Sequence, residues 1–294
     1  MSCTPGRRAC HTEAMVDSRR YAVGDATLLR VPYFDVPLDA TVAGLAAEQV
    51  ESVEWAEPAW ARAGRLLVGQ AVWVIKHGGQ SIVVDPCGAA DAFIRSGPAA
   101  LGHQEAVLGA LAAVGVDPAD VDLVVLSHLD GIGMTALVDD RGQWVPTFPK
   151  ARVVLTGEEL AWVRAHPETQ GAEAFGALLD QGVVDPVTCP FRCTDGVTLE
   201  LTGGHSVGHA VVRVESAGAR ALFVGHLAVS PVQVAFPQRA GQHGDAVRAQ
   251  EALDALLAEA ARDGSLVIGP LWPAPGAASV AGPPWVMTPW GVDA

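Results

Sequence analysis

Nine histidines occur in the 294-residue chain, and three of them stand at the exits of apolar, strand-like runs. His128 comes straight after DLVVLS (122–127). His205 stands in the glycine-rich turn TGGHSVGH (202–209) behind VTLEL (197–201), and His226 follows ALFVG (221–225). Asp130 lies two residues beyond His128. The exits of buried strands are where a rigid sheet holds functional side chains within reach of solvent. A lone histidine there is more often a hydrogen-bonded structural group than a ligand. Three on separate exits predict one shared pocket for His128, Asp130, His205 and His226, the place where a ligand binds. Two chemistries suit that set. Three imidazoles fill the protein side of a one-zinc site whose fourth position stays open, with Asp130 as a base or as the partner that orients a ligand histidine. Without a metal, a histidine–carboxylate pair can shuttle protons, because imidazole titrates near neutral pH.

Other reactive side chains carry less. Ser127-His128-x-Asp130 does not have hydrolase-triad spacing: neighbours at a strand end point in opposite directions, so Ser127 is expected to face away from His128. His209 is expected to support its turn through a hydrogen bond. Asp85 is expected to tie loop backbone together. Cys87 could line the pocket, although a small buried thiol is the plainer reading. Cys189 and Cys193 form a CxxxC with no second ligand pair, which reads as structural. The five cysteines (Cys3, Cys10, Cys87, Cys189 and Cys193) are an odd number, and the N-terminus MSCTPGRRAC has no apolar stretch behind Arg7 and Arg8. That combination predicts a reducing cytoplasm and no secretory signal.

The elements that must position these residues alternate. Strands are expected at Asp25–Pro32, Ala151–Thr156, Val197–Thr202, Ala210–Glu215, Ala219–Gly225 and Leu266–Gly269. Val72–His77 and Ser81–Asp85 flank Gly78-Gly79 as a hairpin. The nearly continuous apolar run Asp122–Ser127 reads as a strand buried on both faces. Helices are expected at Gln104–Val114, ended by Gly115, at Glu158–Ala165 and at Ala246–Arg262. Hairpins mixed with crossovers predict an α/β fold with mixed rather than all-parallel sheets. Residues 1–20 read as a flexible leader, with Met15 as an alternative start, and 21–294 as a single domain. Within it, 37–65, which carries Trp55 and Trp60, reads as a lid, a subunit contact or a helical surface excursion. The Pro/Gly-rich tail from Pro273 to Ala294 is expected to pack across the surface.

Composition excludes some functions. The formal net charge of -14 repels phosphate backbones, so nucleic acid is not an expected partner. No apolar run reaches 18 residues, so no membrane-spanning helix is expected. The expected partner is a small molecule, with a homodimer left open.

Five segments in order carry a family resemblance: SIVVDPCG (81–88), VDLVVLSH (121–128), WVPTFPKAR (144–152), TGGHSVGH (202–209) and ALFVGHLAVSPVQVAFP (221–237). From Tyr21 to about Gly276 the chain resembles the metallo-β-lactamase superfamily, in its lactonase-like and parathion-hydrolase-like branch. The resemblance implies an αββα sandwich of two mixed β-sheets with helices on the outer faces. It also implies a two-metal site, and there the chain departs from the pattern. The family's first motif, His-x-His-x-Asp-His, reads His128-Leu129-Asp130-Gly131-Ile132-Gly133, with at least two histidines missing in either possible alignment. His205 matches the downstream histidine ligand. His226 stands where the family has a bridging aspartate, and Leu271 where it has the last histidine. An imidazole cannot bridge two metals through two oxygens, and Leu271 and Gly131 offer no donor. The expectation is therefore no metal or a single zinc on His128, His205 and His226, not a dinuclear centre, and no other cofactor. The expected function is a divergent enzyme acting on a small apolar ester, lactone, thioester or polyketide-like metabolite, by hydrolysis or by non-hydrolytic cyclisation or elimination. Bacterial specialised metabolism is the expected setting by analogy. A non-catalytic ligand-binding pseudoenzyme and an orthodox metal-dependent hydrolase are the alternatives.

Overall fold

A computed structural model describes residues 19–86, 98–129, 135–166, 172–238 and 242–291. In chain order, Arg19–Val23 (β1) and Ala26–Leu38 (β2) lead into the short helix Ala47–Glu51 (α1) and the strands Ala61–Arg62 (β3), Arg65–His77 (β4) and Gln80–Val84 (β5). The helix Pro98–Ala113 (α2) precedes Leu123–Val125 (β6), the hairpin Ala136–Val138 (β7) and Trp144–Pro146 (β8), and Arg152–Thr156 (β9). Helices Gly157–Ala165 (α3) and Ala172–Asp180 (α4) are followed by Val184–Val187 (β10), Phe191–Thr194 (β11), Val197–Leu201 (β12), Ala210–Ser216 (β13) and Ala219–Phe223 (β14). The long helix Ala246–Asp263 (α5) precedes Leu266–Ile268 (β15), Ala277–Ala281 (β16) and Val286–Pro289 (β17).

Two mixed sheets result. The first runs β1-β2-β4-β5-β6-β9-β10, with β3 also on β4. The β4–β5 hairpin turns at Gly78-Gly79, both at positive φ, as the sequence predicts. From β5 onward this sheet is parallel, through β6, β9 and β10. The second sheet runs β11 to β17 in sequence order, with one parallel pair, β14 and β15, where α5 forms the crossover.

Alternation along β4 shows how the sequence makes layers. Trp73 and Ile75 face the second sheet, packing in one core with Leu199, Val212, Val214 and Phe223. Val72 and Val74 face the other way, against Val107 and Leu111 of α2, Leu160 of α3 and Phe175 of α4. The Trp73 and Phe223 rings meet edge-on, centroids 5.5 Å apart, a contact that contributes about 1 kcal/mol beyond area burial. On the far side, α5 presents Ala249, Leu253, Leu256, Leu257 and Ala260 as one apolar stripe to Leu222, Val267 and Ala278. Helices thus cover both outer faces, the αββα arrangement that the motifs imply.

Three details differ from the sequence reading. Arg19 and Arg20 are strand residues rather than leader. The stretch 37–65 is not a surface excursion: Ala43, Val50, Val53, Ala56 and Trp60 sink into the same core as α5, and Trp60 is wholly buried. The tail adds strands β16 and β17 to the second sheet and buries Ala277, Ala278 and Met287. Proline and glycine density marked that tail as irregular, but the short runs between them still alternate. No helix among the described residues is long and apolar enough to cross a membrane.

Candidate metal centre

The first sheet delivers His128 just past the end of β6, and the second delivers His205 between β12 and β13 and His226 just past β14. The two sheet edges are joined here, since the Ala210 amide donates to the Ser127 carbonyl at 2.8 Å. All three histidines meet: one ligand atom from each lies within 4.8 Å of the others, a group able to hold a metal ion. His128 and His226 are 3 % and 8 % exposed, and their Nε2 and Nδ1 atoms lie 2.9 Å apart. Asp130 lies outside the described residues, as does Cys87.

Imidazoles sharing one zinc at bonds of about 2.0–2.1 Å stand roughly 3.3 Å apart at the tetrahedral angle. The His128–His226 pair is already near that spacing, and each ring offers a neutral nitrogen donor. The residues present therefore fit one divalent ion. A second ion has no comparable donor group among the described residues. Leu271, at the position where the family pattern has a histidine, is a buried core residue whose carbonyl accepts from Gly69.

The backbone around the three rings is fixed by glycines and one carboxylate. Gly225 has φ of +55°, and a Cβ there would lie 2.5 Å from His209 Nε2 and 2.9 Å from Ser127 Oγ, so only glycine lets His226 reach the cluster. Glu159, near the start of α3, is buried. One carboxylate oxygen accepts from the Leu129 amide at 2.9 Å, and the other accepts from the Ser206 hydroxyl at 2.7 Å and the Gly208 amide at 3.0 Å. It thereby ties the segment after His128 to the turn around His205. The start of α5 clamps the same turn, with the Gly244 amide donating to His205 O and the Asp245 amide to Gly204 O.

Ser127 corrects the sequence reading. Its hydroxyl lies 2.8 Å from His128 Nδ1 rather than facing away. The alternation that predicted the opposite belongs to strands, and β6 ends at Val125, two residues earlier. Behind Ser127, the Asp85 carboxylate accepts from the Ser127 amide at 2.7 Å, so Asp85 does tie loop backbone together. Burial pushes the Asp85 carboxyl up to about 6, against the pull of its hydrogen bonding with Ser127. His209 supports its turn as expected. The Thr202 hydroxyl donates to the His209 carbonyl at 3.1 Å, so His209 Nδ1, 2.8 Å from that oxygen, carries the proton and donates back. Burial first, then neighbouring histidines, hold His209 well below its ordinary value.

The sequence reading missed Glu159 and His243. His243 Nδ1 lies 3.3 Å from His205 Nδ1, and its Nε2 lies 2.7 Å from Gln238 Oε1. With Gln238 accepting, His243 Nε2–H is the donor and its Nδ1 is bare. His205 must then hold its own proton on Nδ1, which leaves Nε2 free of it. A histidine in a loop before a helix gives no strand-exit signal. The one available cue was QHGD (242–245), an N-cap aspartate next to a histidine.

Burial, then His205 and His226, lower the His243 pKa to about 4. The unfolded chain, with histidine near 6.5, therefore binds more protons than the folded chain between those values. Stability from keeping His243 neutral is present above about 6.5 and is lost as pH falls through about 4. Urea midpoints of chelator-treated protein should fall less across that window in His243→Gln than in the unaltered protein, the remainder of the profile belonging to His209 and Asp85. An equally steep profile in the two proteins would contradict this.

Against the cluster lies a cleft of about 690 Å³. His205 and His243 form part of its wall, with Leu129, Trp162 and Val207 on apolar surface and Arg248 at the start of α5. Cys189 and Cys193 are not among its lining residues; they are half-buried against the inter-sheet core, and burial pushes the Cys193 thiol up to about 12.

Comparison with known proteins agrees with this architecture. The sequence profile of the metallo-beta-lactamase superfamily matches residues 66–131. No curated protein matches the chain. Among solved structures, it is similar to the hydrolase AbOPH of the beta-lactamase superfamily at 20 % identity and a TM-score of 0.73, covering 94 % of this chain and 98 % of that one. It is similar to AidC, a dizinc quorum-quenching lactonase, at 16 % identity and 0.71, with coverage of 94 % and 98 %. A probable metal-dependent hydrolase from Staphylococcus aureus follows at 14 % and 0.65, with coverage of 85 % and 91 %. At such identities these neighbours establish the fold alone.

Proposed function

From the premise that this chain has the metallo-β-lactamase fold, we propose that it is a hydrolase-like enzyme with a single-metal, three-histidine centre acting on a small, largely apolar ester, lactone or thioester. The observation that carries this is the convergence of His128, His205 and His226 within 4.8 Å beside a cleft. A divalent ion held there would supply Lewis acidity and acidify water at its open position. The chain's own residues do the rest. Ser127 fixes the far side of the His128 ring through Nδ1, which leaves Nε2 directed at His226. Gln238 and His243 set which nitrogen of His205 carries a proton. Leu129, Trp162 and Val207 offer an apolar wall to an acyl group and exclude water beside the rings. Neutral imidazoles this close can also pass a proton between them, the route for the chemistry if no metal is needed.

Elemental analysis after purification without added metal, followed by turnover on a panel of esters, lactones and thioesters, tests the proposal. One bound zinc with measurable turnover is the expected result. Two metals per chain would mean that other residues have replaced the lost ligands. Neither zinc binding nor turnover on any substrate, with or without added metal, would sink the enzyme reading in favour of a ligand-binding protein.

A further inference from the structure

We infer that Arg248 is the recognition point for an anionic group, so that the ester, lactone or thioester bound in this cleft carries one carboxylate on its apolar body. This rests on the reading of the cleft as the ligand site and deepens it. Arg248 lines the cleft wall opposite no acid of its own, since it forms no ion pair among the described residues. Its guanidinium is nonetheless held in place. Nε donates to the Thr202 carbonyl at 2.7 Å, three residues before His205. Gly203, at φ of +64°, makes room for it, because a Cβ there would lie 2.6 Å from the Arg248 Cζ. One nitrogen is thus spent on backbone, the residue as a whole is exposed, and the guanidinium fork has donors to spare for a carboxylate.

Neither of the two carboxylates that share the lining forms an ion pair with this guanidinium. Glu159 is committed to Leu129, Ser206 and Gly208. Asp245 caps α5 by accepting the Arg248 amide at 3.0 Å. The apolar part of the ligand has its own surface, for Trp162 and Val207 are 38 % and 52 % exposed, among the few large apolar side chains left open to water. An arginine anchored on backbone, beside open apolar side chains and a histidine cluster, selects for a chain that ends in charge rather than for a neutral apolar molecule.

The test needs neither metal nor turnover. Hexanoate and hexanamide have the same length and differ in charge. Their binding to chelator-treated protein is compared by NMR titration at pH 8, above the ordinary histidine range, so that the imidazoles offer no positive charge. Hexanoate should bind about tenfold more tightly than hexanamide, the advantage of a charge-assisted contact. Arg248→Gln should erase the preference, and Arg248→Lys should keep part of it. Equal binding of the two probes to the unaltered protein overturns the inference, as does a preference that survives Arg248→Gln. If the variants fail to fold, the Arg248 side-chain resonances of the unaltered protein decide: hexanoate shifting them supports the inference, and hexanoate leaving them unmoved overturns it. A hexanoate preference with no turnover on any panel substrate would leave Arg248 assigned and refute only the enzyme reading.

Discussion

Replacing His226 by alanine should lower zinc affinity by at least about 100-fold and turnover by about two to four orders of magnitude. Three imidazoles are the whole donor group that the described residues bring together, so removing one leaves two. His226 also holds the His128 ring from its Nε2 side, across 2.9 Å. Its loss leaves the Ser127 hydroxyl, 2.8 Å from Nδ1, holding that ring from the opposite side. His128→Ala should behave alike, since His128 supplies the other half of the pair. Thermal stability should change little in either variant, because such a site is not optimised for stability. Zinc affinity is read by competition with a chromophoric chelator, turnover on whichever panel substrate is active, and stability by thermal melting. Full turnover combined with a large loss of stability would show that the histidines are scaffolding and that the chemistry lies elsewhere.

Much of this fold was legible because its signals are local. The β4–β5 hairpin needed only Gly78-Gly79 between two alternating runs, and α5 needed only its apolar period. The three histidines were legible for a related reason: each follows a buried run, and a strand exit is a property of adjacent residues. What was not legible depends on contacts distant in sequence. Glu159 reads as an ordinary acidic residue in the first turn of a helix. Nothing nearby says that it will be buried against Leu129 and Gly208, 30 and 49 residues away. His243 reaches His205 across 38 residues by way of the α5 N-terminus. Trp60 reads as surface because acidic residues surround it, yet the core that buries it comes largely from α5 and the second sheet. Ser127 failed for the opposite reason: a local rule was carried two residues past the end of the strand that justified it.

Glu159 is also where the second large effect is expected. Glu159→Ala should cost about 4 kcal/mol of stability and lower the melting temperature by about 10 °C. Three donors lose their acceptor, two of them the backbone amides of buried Leu129 and Gly208. Each hydrogen bond to a charged group contributes roughly 1.5–3 kcal/mol, and water entering beside the half-buried Ser206 recovers part of that. A shift of 1 kcal/mol in a chain of this size moves the midpoint by about 2–4 °C. Glu159→Gln separates charge from shape. The amide keeps one acceptor oxygen but turns an NH₂ toward groups that are themselves donors, so it should recover only part of the loss. The site should respond as well, because Leu129 adjoins His128 and Ser206 adjoins His205. With the carboxylate gone, the two segments that carry these rings lose their common tie. Zinc affinity should then fall by about 10–100-fold although no ligand is altered, the usual penalty for removing a group that orients ligands. Melting curves and chelator competition on the two variants measure both effects. A variant that keeps the zinc affinity of the unaltered protein while losing stability would confine Glu159 to folding, and the His128 and His205 segments would then be positioned independently of each other.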